Sequence, residues 1–204
     1  MTQSDELRAF MDSVSGAPFL ALDTETSGLD PLTDRVLLIQ IGTAQSQALI
    51  DAQAIPPEEL AAVIPEEQTL VMHNAAFDLK MLASLGLPAA RLANARVVDT
   101  MLTEQALRNG RRSELSNGRV GLNVLAERYA GMTLDKTVRG GFINIQSIEE
   151  LGEAELRYAQ RDVEATWKVF AAQMPLVEST QLLRTVAIEG RACWSWSEME
   201  RRGF

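Results

Sequence analysis

The chain has 204 residues, 46% of them hydrophobic and 23% charged, which is enough for one domain with a sizeable core. A net charge of −9 argues against broad duplex binding, and no apolar run approaches the roughly 20 residues of a membrane span. One cysteine, Cys193, excludes an intrachain disulfide, and with a single histidine, His73, it argues against a structural zinc site.

The N-terminus, Met1 to Glu6, lacks the basic start of a secretory signal, so a reducing, cytoplasmic setting is expected. Residues 4–14 read as a short helix with Ser4 as N-cap and Leu7, Phe10, Met11 and Val14 on one face. Phe19–Asp23 reads as a buried strand, followed by turn chemistry in Ser27-Gly28-Leu29-Asp30-Pro31. Arg35–Thr43 and Gln47–Asp51 read as the next two strands of an antiparallel meander. Pro56-Pro57 opens a short helix to Ile64. Thr69–His73 is a fourth strand feeding a helix from Ala75 to Leu85 that stops at Gly86. Arg96–Val98 is a short fifth strand followed by a helix to Arg108.

Asn109–Arg119 is polar, basic and glycine-containing, and reads as an exposed loop. Leu122–Tyr129 is helical and ends at Gly131, Leu134–Gln146 is a second loop, and Ile148–Leu151 is a helical turn. A long helix runs from Glu153 to Gln173, with Pro175 expected to interrupt it before a final helix, Leu176–Arg202. Strands first and helices later predict an α/β domain over residues 1–175, with 176–204 as a C-terminal helix. The charge is uneven: Met101–Gly140 holds seven basic and four acidic residues, a local +3 within an acidic chain.

Three patches carry the chemistry. Asp23 and Glu25 are two apart in a strand and so project from one face. Asn74 and Asp78 are four apart at the start of a helix, and Tyr158 and Asp162 are four apart inside one, so each pair shares a face. Gathered together, four carboxylates offer the oxygen ligands that magnesium or manganese prefers, and they would repel one another without cations. Such an arrangement points to metal-assisted cleavage of a phosphodiester, with no histidine base required.

These patches resemble the motifs of the DEDD 3′–5′ exonucleases, in the subgroup whose third motif carries tyrosine. The resemblance covers about residues 17–172: Phe19 to Pro31, then His73-Asn74-Ala75-Ala76-Phe77-Asp78-Leu79, then Leu156 to Val163. It implies a ribonuclease H-like fold with a mixed central sheet, three antiparallel strands then parallel ones, flanked by helices. It also implies two divalent ions, Mg2+ or Mn2+. In that pattern Asp23 bridges the ions, Glu25 and Asp162 complete the water-activating site, Asp78 serves the second ion, and Tyr158 orients the attacking water.

The same resemblance places Leu29 against the terminal base, with simple packing under the turn as the alternative. It places Thr26 at the terminal sugar and Asn74 at the chain end or beside Asp78. Arg108, Arg111, Arg112, Lys136 and Arg139 are the candidate phosphate contacts. Phe77 and His73 are expected to face the core. Two relatives compete, ribonuclease D and the proofreading domain of family A DNA polymerases. The tail from Val186 to Phe204 resembles the helix leading into a family A polymerase domain, so single-stranded DNA 3′ ends are the expected substrate and a polymerase domain a possible partner. RNA ends and a catalytically silent module are the other readings.

Overall fold

The computed structural model describes residues 1–109, 120–135, 137–143, 145 and 147–204. Its centre is a five-stranded sheet in the order β3-β2-β1-β4-β5. Strands β1 (Phe19–Thr26), β2 (Val36–Gly42) and β3 (Gln47–Asp51) form the expected antiparallel meander. Strands β4 (Thr69–Met72) and β5 (Arg96–Asp99) extend it on the other side of β1, all three parallel. Every residue of β2 is buried, which explains its nearly continuous apolar run: helices or loops cover both faces.

Helix α1 (Ser4–Ser13) buries Leu7 and Phe10 as its periodicity requires, but its N-cap is Gln3, because Ser4 already lies in the first turn. Helix α2 (Pro57–Leu60) is one turn long and passes into a 3-10 turn at Ala61–Val63. Helix α3 (Ala75–Ser84) is followed by Gly86 at φ 98°, a left-handed position that glycine takes without strain. The sequence reading missed α4 (Ala89–Asn94), a six-residue helix opened by Pro88 and anchored by the buried Leu92. Helix α5 (Thr100–Leu107) follows β5 directly, and α6 (Leu122–Ala130) closes at Gly131 with φ 61°. The expected loop after Leu134 contains a 3-10 turn, Val138–Phe142, pinned by the buried Phe142.

The largest correction concerns the two C-terminal helices. Helix α7 runs unbroken from Glu153 to Ser179 with Pro175 inside it. A proline there removes one helical hydrogen bond, to the carbonyl of Ala171. Both Pro175 and Ala171 are exposed, so water can satisfy that carbonyl, while Gln173 and Val177 on the opposite face stay buried. The break comes instead at Gln181, held at φ 60°, and α8 (Leu183–Arg201) starts two residues later.

Helix α8 packs on β5 and α3. Its backbone approaches the sheet at Gly190, where an added Cβ would lie 1.9 Å from the Val97 carbonyl oxygen. Gly190→Ala gains about 1 kcal/mol of helix propensity. The clash is with backbone, which cannot move aside cheaply, and overpacking of this kind costs roughly 1–3 kcal/mol. The clash is expected to win, lowering the unfolding free energy in a urea titration; an unchanged or raised midpoint would show that α8 can shift off β5 freely.

Candidate active site

Because β1, β4 and β5 are parallel, their carboxyl ends open on one edge of the sheet, the usual place for ligands in open α/β folds. Asp23 and Glu25 lie at that end of β1 and Asp99 at that end of β5, while Asn74 follows β4. Helix α7 covers the β1 face that carries Phe19, Ala21, Asp23 and Glu25. The Phe19 and Phe170 rings meet at 4.9 Å at one end, and carboxylate oxygens of Asp23, Glu25 and Asp162 lie within 4.8 Å of one another at the other. Glu25 and Asp162 are buried and Asp23 half-buried. Three carboxylates this close could hold a divalent ion, since a hard cation relieves their repulsion.

Tyr158, one turn before Asp162, hydrogen-bonds its carboxylate. Burial pushes the Tyr158 hydroxyl far up, and the charges of Asp162, Glu25 and Asp23 add to it. The phenol is therefore held neutral and is available as a hydrogen-bonding group.

Asp78 lines the same cleft but reaches it from the other face of the sheet. Its Oδ1 accepts from the Thr24 backbone N–H at 3.0 Å and from Thr24 Oγ1 at 2.7 Å, and the residue is 2% exposed. Thr24, between Asp23 and Glu25, points away from them, so one strand presents two carboxylates to α7 and a clasp to α3. Burial pushes the Asp78 carboxyl up to about 7; the two Thr24 hydrogen bonds oppose this and the charge of Asp99 adds to it.

Asp99 escaped the sequence reading. It is 2% exposed and accepts from four backbone N–H groups: Met101 and Leu102 of α5, and Asn74 and Ala75 at the start of α3. The signal was present, because an aspartate directly before a helical run is an N-cap pattern. Burial raises its pKa, with the four hydrogen bonds opposing. Asn74 itself sits in the left-handed region at φ 66°, ψ 50°, which asparagine tolerates better than most residues.

The cleft holds about 500 Å³ and is walled by Leu29, Asn74, Phe77, Met101, Leu122 and Leu134 around the acidic residues. Leu29 is 66% exposed at its rim, which excludes simple packing under the turn. The Thr26 hydroxyl donates to the Gly28 carbonyl at 2.5 Å. His73 is half-buried and lines the cleft, its Nδ1 2.9 Å from Thr100 Oγ1, where the sequence reading had it facing the core; it lies just past the end of β4. Phe77 packs against the core with one side and lines the cleft with the other.

Arg108 is turned inward. It pairs with Glu104, whose side chain is 1% exposed and also accepts from Arg128, Tyr129 and Gln173. Burial alone would raise Glu104, but these donors outweigh it and hold the carboxyl low. Glu104 therefore braces α5 against α6 and α7, with Arg108 folded back onto it from the end of α5. Arg111, Arg112 and Lys136 lie outside the described residues, as does the side chain of Arg139.

The family model described as 3′–5′ exonuclease matches residues 1–178. DNA polymerase I of Aquifex aeolicus is 30% identical over 164 residues, covering 80% of this chain and 25% of the polymerase. Ribonuclease D of Zymomonas mobilis is 29% identical over 209 residues, covering 98% of this chain and 47% of that protein. The chain thus spans less than half the length of either. The crystal structure of Escherichia coli RNase D shares the fold with a TM-score of 0.76 at 23% identity, covering 100% of this chain and 50% of that one. The ribonuclease H-like architecture with a mixed sheet is the one expected from the motifs.

The raised Asp78 carboxyl makes stability depend on pH. An unfolded aspartate titrates near 3.9. Between about pH 4 and pH 7 the folded protein therefore binds more protons than the unfolded chain, and its stability falls as pH rises. Asp99 acts in the same direction, while the lowered Glu104 loses its contribution only as pH falls into the carboxylate range. In chelator, Tm is expected to drop from pH 5 to pH 7, and Asp78→Asn to flatten that slope. A slope unchanged by Asp78→Asn would rule out this assignment.

Proposed function

The chain belongs to the 3′–5′ exonuclease family, of DEDD type, and from that premise we propose that it removes nucleotides one at a time from the 3′ end of single-stranded DNA and releases nucleoside 5′-monophosphates. The observation that carries this reading is the Asp23, Glu25 and Asp162 cluster with the Tyr158 hydroxyl set against it in an open cleft. The 30% identity to a DNA polymerase supports DNA as substrate, and a polymerase region, in the same protein or bound to it, as partner.

Asp23, Glu25 and Asp162 would hold divalent ions, magnesium or manganese, with Asp78 serving the second of two. Bound there, such ions supply an activated water, a grip on the scissile phosphate and charge stabilisation for the leaving oxygen. The protein's own residues do the rest. The neutral Tyr158 hydroxyl holds the attacking water by a hydrogen bond, its geometry fixed through Asp162. Leu29 stands at the rim as an apolar wedge against the terminal base, and Asn74 faces the chain end. Thr26 meets the terminal sugar through its backbone, because its hydroxyl is already engaged with Gly28. Arg111, Arg112, Lys136 and Arg139 contact phosphates, giving grip without sequence preference.

A second reading has its own support. The ribonuclease D relative aligns with 98% of this chain, including the C-terminal helix, so RNA ends are the alternative substrate. A 5′-labelled DNA oligomer and an RNA of the same sequence, incubated side by side with magnesium or manganese, separate the two. The expected result is a ladder shortening from the 3′ end of DNA, abolished by chelator. Weakening an outer partner of a metal ligand alone typically costs about 10–100-fold, so losing a ligand in Asp162→Ala should slow cleavage by more than about 100-fold. A ladder on RNA alone would replace DNA with RNA as the substrate, and full activity in the variant would exclude this site.

A further inference from the structure

Gln40 is a polar residue in the middle of an apolar strand, flanked by Leu38 and Ile39 on one side and Ile41 on the other. It is 1% exposed, and neither its Nε2 nor its Oε1 has a hydrogen-bond partner among the described residues. A leucine or methionine would fill that volume without the penalty of an unmet buried amide, so a reason for the amide is needed. Its position supplies one. Gln40 is the cross-strand partner of Asp23 in the antiparallel β1–β2 pair. Partners of this kind project from the same face, with Cβ atoms about 5 Å apart.

That face is the one α7 covers. Leu38, two residues along β2 and on the same side, is buried with Ala159 of α7. Thr166 lies on α7 one turn beyond Asp162 and is 1% exposed, and its hydroxyl also lacks a partner among the described residues. Two unmet polar groups therefore stand in the layer behind the metal-binding carboxylates, one on the strand beside Asp23 and one on the helix beside Asp162.

We propose that Gln40 is a positioning residue for the metal site, its amide orienting the Asp23 and Asp162 carboxylates from behind through a bridging water that the Thr166 hydroxyl also holds. An ionised carboxylate accepts hydrogen bonds, and the Gln40 Nε2 is a side-chain donor in register with Asp23. The side chain that ligates a cation with one oxygen is then held at the other. This inference rests on the metal-dependent reading above but concerns the affinity of the site.

A packing role and a positioning role make opposite predictions for Gln40→Leu. A packing role alone predicts a metal-free protein as stable as before or more so, because an unmet buried amide is removed, with metal binding unchanged. Only positioning predicts weaker metal binding. Mn2+ titrated calorimetrically into the chelator-treated full chain is expected to bind Gln40→Leu about 10–100-fold more weakly, and Thr166→Val less tightly than the unsubstituted protein. The Mn2+ concentration for half-maximal oligonucleotide cleavage should rise by the same factor, with KM for the oligonucleotide unchanged. Gln40→Met, closer in shape, carries the comparison if the leucine variant does not fold. Mn2+ affinity within twofold of the unsubstituted protein in a folded variant overturns the proposal while leaving the nuclease reading intact. Absence of Mn2+ binding by the unsubstituted protein would overturn both.

Discussion

The site depends first on the Asp99 carboxylate. One buried side chain accepts four backbone N–H groups, two from the first turn of α5 and two from the start of α3. The first N–H groups of a helix have no partner within it, and the aligned peptide dipoles place partial positive charge there. An acceptor at the end of β5 thus answers two helix starts at once and fixes how α3 leaves β4. The direction of α3 in turn decides where Asn74 and Asp78 stand. The left-handed turn at Asn74 is the backbone cost of that sharp exit, and it is held by the same carboxylate.

Strand β1 separates the acidic residues by alternation. Asp23 and Glu25 face α7 and meet Asp162, while Thr24, between them, faces α3 and binds Asp78. The two halves of the site therefore differ in character. The α7 half is a crowded set of carboxylates whose mutual repulsion favours a cation. The α3 half is a single carboxyl so well buried that its proton is held to about pH 7, with two hydrogen bonds from Thr24 working the other way. Ionising Asp78 is easier when positive charge arrives nearby, because burial is what holds its proton.

The acidic patches and the sheet were legible because short-range periodicity governs them. A spacing of two in β1 and of four in α7 puts side chains on one face, whereas Asn74, four before Asp78, is the left-handed N-cap of α3 and lies outside that helical rule. What escaped was whatever depends on which side of a helix is wet. Pro175 is a helix breaker by composition, yet here the orphaned Ala171 carbonyl points outward and burial of Gln173 and Val177 carries the helix through. Arg108 belonged by sequence to a basic stretch, but its neighbour one turn earlier, Glu104, is buried and takes the guanidinium inward. Four residues' spacing made that pair readable; the burial of Glu104 did not show in the sequence. Asp99 was readable as a helix cap but not as a cap of two helices, because the second is brought to it by strand pairing between β4 and β5.

The C-terminal helix bears on the site as well as on the fold. The Ser197 hydroxyl donates to the Ala76 carbonyl at 2.7 Å, in the first turn of α3, and Glu200 pairs with Lys80 at 2.9 Å. Lys80 lines the cleft, and its side chain is only 13% exposed, so this pair is better shielded than an ordinary surface bridge. With Gly190 seated against β5, α8 clamps α3 along the stretch that carries Asp78. The wall bearing Asp78 is thus held at its start by Asp99 and along its back by α8. The tail, read from sequence as a helix resembling the one that leads into a polymerase domain, is in this fold one of the two supports of the site's second half.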